Sequence, residues 1–186
     1  MLDLVFFDAG RKEGFISVNP ITAKSPKELK KKLEACREGI MVVIGENEKI
    51  VSEASSSKKV DIILNPVSGR EKDPMHYRSS GLSVESLSNA KKNGIAIGFS
   101  FDGLKGVDAS RTLGHMMQDV SICRKYRLDF VLASFAYFDK DVKSQFELGA
   151  LGNVIGMRSD EIKDALGAVE RIIRKKGLSK EKSAGA

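Results

Sequence analysis

The sequence predicts an α/β domain built on a parallel sheet. Two observations carry this reading. Short β-rich runs alternate with helical runs through most of the 186 residues, the pattern of strand–helix–strand units. Two of the strand runs, Ile40-Met41-Val42-Val43-Ile44 and Ile62-Ile63-Leu64, are continuously apolar instead of alternating, as strands are when both of their faces are covered. Connections of this kind are right-handed. A small or incomplete β/α barrel and a doubly wound sheet are both open. A full eightfold barrel typically takes ~250 residues, so any barrel here is trimmed.

The elements follow in order. Strands are expected at 3–7, 15–18, 40–44, 60–64, 95–99 and 130–133, with a weaker one at 154–156. The N-terminus meets Asp3 and Asp8 with no basic region before its apolar residues, so it reads as a first strand and not as a signal peptide. Ser25-Pro26-Lys27-Glu28 is a capping box with proline at the first helical position; Leu29, Leu33 and Cys36 follow at helical spacing and Gly39 closes the helix. Ser83 opens a helix that Gly94 ends. Asp108 or Ser110 caps a longer one, with Leu113, Met116, Met117, Val120, Cys123 and Tyr126 on one stripe, a pattern of core packing. Ser159 is expected to cap the last helix, with Ile162, Leu166, Val169 and Ile173 facing inward and Gly177 at its end. Residues 1–177 form a single domain on this reading, and 178–186 a basic, disordered tail.

Composition narrows the function classes. The chain is 41% hydrophobic and 30% charged, within the ordinary range for globular proteins. No apolar run approaches the ~18 residues that a membrane span needs. Cys36 and Cys123 are far apart and fit buried thiols in a reducing, cytoplasmic setting. The net charge is +6, yet Arg171, Arg174, Lys175, Lys176, Lys180 and Lys182 oppose only Glu181 at the C-terminus. Basicity therefore belongs to the end of the chain, either as a phosphate-gripping segment or as a solvated terminus.

In both architectures ligands meet the carboxyl ends of the strands. The loops expected there hold Arg70, Lys72, His76, Arg78, Lys105, Arg111, Lys140 and Arg158. Arginines suit bidentate phosphate contact. The same rim holds Asp8, Glu71, Asp73, Asp102, Asp139 and Asp160, so a merely solvated rim of mixed charge is the competing reading. Only two histidines occur, His76 and His115, too few for a histidine-rich metal centre. No His-x-His, Cys-x-x-Cys, Gly-x-Ser-x-Gly or phosphate-loop pattern is present. A metal-dependent phosphoesterase or small-molecule barrel enzyme using Asp8, Asp102 and His76 is the alternative from the enzyme class.

Four segments between about 60 and 157 carry a resemblance. Ile62-Ile63-Leu64-Asn65-Pro66 leads into Arg70-Glu71-Lys72-Asp73-Pro74 and His76. Asn93-Gly94-Ile95-Ala96-Ile97-Gly98-Phe99-Ser100 is the second. Arg111 opens a helix ending Cys123-Arg124-Lys125-Tyr126. Val131-Leu132-Ala133-Ser134 is followed by Leu148-Gly149-Ala150-Leu151-Gly152-Asn153-Val154-Ile155-Gly156-Met157. In order and spacing these resemble the ribonuclease P protein component 3 family, the archaeal counterpart of the eukaryotic thirty-kilodalton subunit. Gln145-Phe146-Glu147-Leu148 stands where that family often has Pro-Arg-Asp-Leu.

The resemblance implies a small or incomplete TIM-like β/α barrel with mostly parallel strands. It implies a non-catalytic subunit of the ribonucleoprotein that removes the 5′ leader from precursor tRNA. The RNA would perform the cleavage, with Mg²⁺ serving the RNA and no cofactor held by this chain. The implied partners are the ribonuclease P RNA, a small RRM-like ribonuclease P protein subunit, the other ribonuclease P proteins and, indirectly, precursor tRNA. RNA-facing residues would be Arg70, Lys72, His76, Arg78, Arg111, Lys140 and Arg158, with Tyr77 beside His76 placed to stack on unpaired bases.

Overall fold

The structure, a computed structural model, describes residues 2–10, 12–36, 39–66, 81–105 and 108–178. Its strands are β1 (Asp3–Val5), β2 (Phe15–Ser17), β3 (Pro20–Ile21), β4 (Val42–Ile44), β5 (Ile62–Leu64), β6 (Ala96–Phe99) and β7 (Phe130–Leu132). Its helices are α1 (Pro26–Ala35), α2 (Glu48–Ser56), α3 (Val84–Asn93), α4 (Ala109–Tyr126), α5 (Gln145–Val154), α6 (Ser159–Leu166) and α7 (Ala168–Lys176). Strands β3-β4-β5-β6-β7 form a parallel sheet, and β1 pairs in parallel with β2.

The two sheets join into one ring. β2 and β3 lie on one segment, so its first half pairs with β1 and its second with β4. At the other seam the chain just past β7 pairs with β1: Phe135 N–H donates to Leu4 O (2.7 Å) and Phe6 N–H to Ala136 O (2.8 Å). The architecture is a small barrel, all parallel, in agreement with the sequence expectation. Asp3 sits at this seam. Its Oδ1 accepts from the Leu4 and Ser134 backbone N–H groups (2.9 and 2.7 Å). Burial pushes its carboxyl up, against the opposing pull of these hydrogen bonds.

Side-chain alternation along the strands separates two cores. Val43, Ile63, Ile97, Phe99, Phe130 and Leu132 point outward and pack beneath α1–α6, on residues such as Leu29, Ile50, Leu87, Met116, Leu148 and Ile162. Val42, Ile62, Leu64, Ala96, Val131, Ala133 and Phe135 point into the barrel. The interior is narrow. A Cβ on Gly98 would come 2.9 Å from Ile62 Cγ2 and 3.2 Å from Leu64 Cδ1, so only glycine fits at that turn of the wall. Ala168, Val169 and Ile173 of α7 belong to the inner core. Lys176, at the end of α7, donates to Gly39 O (2.7 Å) and pairs with Asp61 (2.6 Å). Both lie where β4 and β5 begin, so α7 stops the amino-terminal mouth of the barrel.

Several boundaries differ from the sequence expectation. Residues 154–156 form no strand: Val154 ends α5, whose capping box is Ser144 with Glu147. The last helix is two, broken at Gly167. Its start is set by Glu161, which accepts from the Arg158 backbone N–H (2.8 Å), and not by Ser159. Helix α2, capped by the Asn47 side chain on the N–H groups of Lys49 and Ile50, and strand β3 are additional. The expected tail falls at residues 179–186 outside the described residues.

Candidate nucleic-acid interface

At the carboxyl-terminal mouth the loops after β4, β5, β6 and β7 surround a cleft of about 230 Å³, lined by Phe6, Ile44, Leu64, Asn65, Ser100, Asp102, Gly103, Thr112 and Tyr137. Its walls are tied together. The Asn65 amide donates to Ser100 Oγ (2.9 Å) and its carbonyl oxygen accepts from Ser100 N–H (3.1 Å), which holds Asn65 at a positive φ of 45°. Beneath it, a Cβ on Gly45 would fall 2.6 Å from Pro66 Cα; the backbones meet there only because position 45 has no side chain. These contacts fix the point from which residues 67–80 depart.

Aromatic rings edge this mouth. Tyr137 lies against Phe6 with centroids 4.9 Å apart. Burial, then the charges of Asp102 and Glu46, holds its phenol above the usual range. Phe138 is 62% exposed and Lys140 Nζ stands 5.7 Å from its ring centroid, an arrangement suited to a cation over an aromatic face. An exposed phenylalanine beside a lysine offers a stacking surface and a phosphate contact together.

The cations of this rim are largely matched by acids. Lys12 pairs with Asp139 (2.9 Å). Lys105 bridges Asp102 (3.1 Å) and Asp141 (3.3 Å), and the Asp102 hydrogen bond raises its pKa. Arg111 pairs with Asp108 (2.8 Å). Of the residues proposed from sequence to face RNA, Arg111 and Lys140 therefore sit at the expected mouth. Arg70, Lys72, His76 and Arg78, with Tyr77, lie outside the described residues.

Arg158 is elsewhere. Its guanidinium contacts Glu161 (3.3 Å) and Asp160 (3.6 Å), and Glu161 is bound by Arg124 through two hydrogen bonds of 2.7 Å. Arg124 lies in the last turn of α4 and Arg111 in its first turn. At 1.5 Å per residue these are about 20 Å apart, so Arg111 and Arg158 stand toward opposite ends of α4. The expectation of one shared rim fails because no strand precedes Arg158. The Arg124 guanidinium holds the Glu161 carboxyl at about 2, and Glu161 in turn raises Arg124.

Among the described residues no group of three His, Cys, Asp or Glu side chains is placed to hold a metal ion. Asp8 is exposed and caps the Gly10 N–H (2.8 Å), Asp102 is ion-paired, and His76 is outside the described residues. Cys123 is fully buried, and burial pushes its thiol up, as for an inert core cysteine. No helix among the described residues is long and apolar enough to cross a membrane.

A second cationic feature joins Lys175 and Lys176 of the basic C-terminal segment to lysines that the sequence reading did not connect with them. At the amino-terminal mouth a groove of about 290 Å³ is lined by Lys58, Val60, Asp61, Lys92, Asn93, Gly94, Lys175 and Lys176. Its lysines come from the α2–β5 turn, the end of α3 and the end of α7, three segments spread along the chain from Lys58 to Lys176. Helical spacing carries no signal of their convergence. The signs available are the basic C-terminal segment and lysine in the last turn of α3 and of α7, where helix ends favour cations.

The chain is 32% identical over 140 residues to ribonuclease P protein component 3 of Methanosarcina acetivorans, with 73% of this chain and 55% of that protein covered. It is 31% identical over 140 residues to the protein of the same name from Methanosarcina mazei, with 74% and 55% covered. The chain thus spans about half the length of the curated relatives it matches. No family model matches it. Among solved structures, a chain of the cryo-EM structure of archaeal ribonuclease P with mature tRNA superposes with a TM-score of 0.74 at 22% identity, covering 92% of this chain and 73% of that one. At that identity the likeness concerns the fold.

Proposed function

We propose, for a chain that belongs to the ribonuclease P protein component 3 family, that it is a protein subunit of the ribonuclease P ribonucleoprotein and acts in 5′-leader removal from precursor tRNA. The observation that carries this reading is the 32% identity, which runs through nearly three quarters of the chain. The fold is consistent with it: a barrel whose interior is closed by side chains and by α7 works through its ends and outer surface.

The chain binds and stabilises the catalytic RNA and is not itself the catalyst. Exposed Lys140 and half-buried Arg111 supply phosphate contacts at the carboxyl-terminal mouth, together with Arg70, Lys72, His76 and Arg78 of the 67–80 segment. Phe138 offers a ring to an unpaired base. Arg158 acts separately, toward the other end of α4. Mg²⁺ serves the RNA. The protein partners are a small RRM-like ribonuclease P subunit and the other ribonuclease P proteins, and the setting is the cytoplasm.

The test is reconstitution of precursor-tRNA cleavage from the RNA and partner subunits with and without this chain. The expected result is a loss of cleavage efficiency when it is omitted and no cleavage by the chain alone with Mg²⁺. Equal cleavage without it overturns the reading. RNA affinity is expected to fall steeply with salt.

A further inference from the structure

We infer that the lysine groove at the amino-terminal mouth is a second RNA-backbone site, one that seats phosphates under the barrel on the face opposite the loops. The inference rests on the RNA-binding reading above and adds to it a surface on which Lys175 and Lys176 of the basic C-terminal segment meet Lys58 and Lys92.

The argument begins with charge. Lys58, Lys92, Lys175 and Lys176 line the groove, and Asp61 is its one acid. Asp61 is already engaged: its Oδ2 accepts from the Met41 N–H (2.7 Å) and pairs with Lys176 (2.6 Å). Lys58, Lys92 and Lys175 make no ion pair among the described residues, and all three are exposed. At the opposite mouth Lys12, Lys105 and Arg111 each have a carboxylate within 3.1 Å. The groove gathers into one concavity three cations that no carboxylate among the described residues pairs with.

The groove is also built. Gly94 closes α3 at a φ of 68°, and a Cβ there would lie 2.7 Å from Lys175 Nζ, so the glycine leaves that ammonium its place. Lys176 locks the end of α7 to Gly39 and Asp61, which sets Lys175 opposite Lys92. Nearby, Lys91 donates to Arg127 O, bringing the end of α4 alongside. The helix ends attract lysines to this face; the three chain segments then aim them into one concavity.

Chemistry selects the ligand. The lining has a single apolar side chain, Val60. Protein interfaces deplete charged residues, lysine among them, at their centres, whereas lysine ammonium groups on flexible stems suit phosphodiester oxygens without base specificity.

The experiment uses the full chain and a fluorescein-labelled RNA hairpin, followed by anisotropy from about 50 to 200 mM salt. The triple variant Lys58→Gln, Lys92→Gln, Lys175→Gln spares Lys176 and its structural contacts. A control triple, Lys27→Gln, Lys31→Gln, Lys163→Gln, removes equal charge from exposed positions of α1 and α6. The groove triple is expected to bind on the order of 10–100-fold more weakly, with its log–log salt slope reduced by about 2–3. The control should change much less, and urea midpoints should match in all three proteins. A groove triple that binds like the control overturns the inference while the RNA-binding reading stands. Wild-type protein that does not bind the hairpin overturns both. If polyglutamate binding is lost in the groove triple and hairpin binding is kept, the groove is a protein-docking surface and the inference fails.

Discussion

The two mouths of the barrel solve the same problem in different ways. At the carboxyl-terminal mouth, loops of unequal length are stapled by Asn65 and Ser100, lined by Tyr137 and Phe6, and charge-balanced by Asp102, Asp108, Asp139 and Asp141. At the amino-terminal mouth a single helix, α7, fills the opening with Val169 and Ile173, and lysines accumulate around it. The contrast follows from direction. In a parallel barrel the crossover helices end where the strands begin, so helix C-termini and their cations collect at one end. Loop variety collects at the other, which is why that end is the customary place to look for function.

Four substitutions probe the contrast, taken from the largest expected effect. Phe135→Ala empties the interior beside the ring-closing seam, where Phe135 is fully buried; a loss of about 3–5 kcal/mol is expected in urea unfolding. A loss below about 1 kcal/mol would mean that the seam does not hold the ring. Gly45→Ala forces a methyl into Pro66 and should cost about 1–3 kcal/mol. If it proves neutral, the carboxyl-terminal loops are not clamped as described.

Glu161→Gln tests the ion pair that ties α6 to the end of α4. The folded carboxyl lies at about 2, below its ordinary 4.5, so the stabilisation is present above pH 4.5 and is lost as pH falls through about 2. We expect a destabilisation of about 1–2 kcal/mol at neutral pH, after allowance for solvent screening. The gap between variant and wild type should close progressively below pH 4.5 in thermal melts. A gap independent of pH would assign the effect to packing. Smallest is Lys12→Gln, which frees Asp139 at an exposed pair. Stability should change by less than ~0.5 kcal/mol, and the RNA salt slope should not fall. A fall of about 1 would add Lys12 itself to the phosphate contacts of the carboxyl-terminal mouth.

The strands were legible because their signals are strong and local. β4 and β5 read as apolar runs, and α1, α3 and α4 are marked by Ser25, Ser83 and Gly94, and a long apolar stripe. The failures have physical causes. α5 exposes Phe146 and Val154 and buries Leu148 and Leu151, so its apolar residues do not trace one face; the Val-Ile pair at its end then imitates a strand. That false strand carried Arg158 to the wrong mouth. β3 is two residues long and exists only through its pairing with β4. The candidate site was half visible. Arg111 and Lys140 follow from strand ends, whereas the lysine groove depends on three helix and turn ends meeting, which no window of sequence reports.

Lys176 has a further consequence. It fastens α7 to the starts of β4 and β5, and α7 also carries Lys175. Undocking the helix would dismantle half of the groove's cations in the same event. Anion binding and plug seating are therefore thermodynamically linked: an anion that binds only the assembled groove lowers the population of the undocked α7. Amide exchange at Val169 and Ile173, deep in the barrel, becomes a reporter of what touches the surface beneath it.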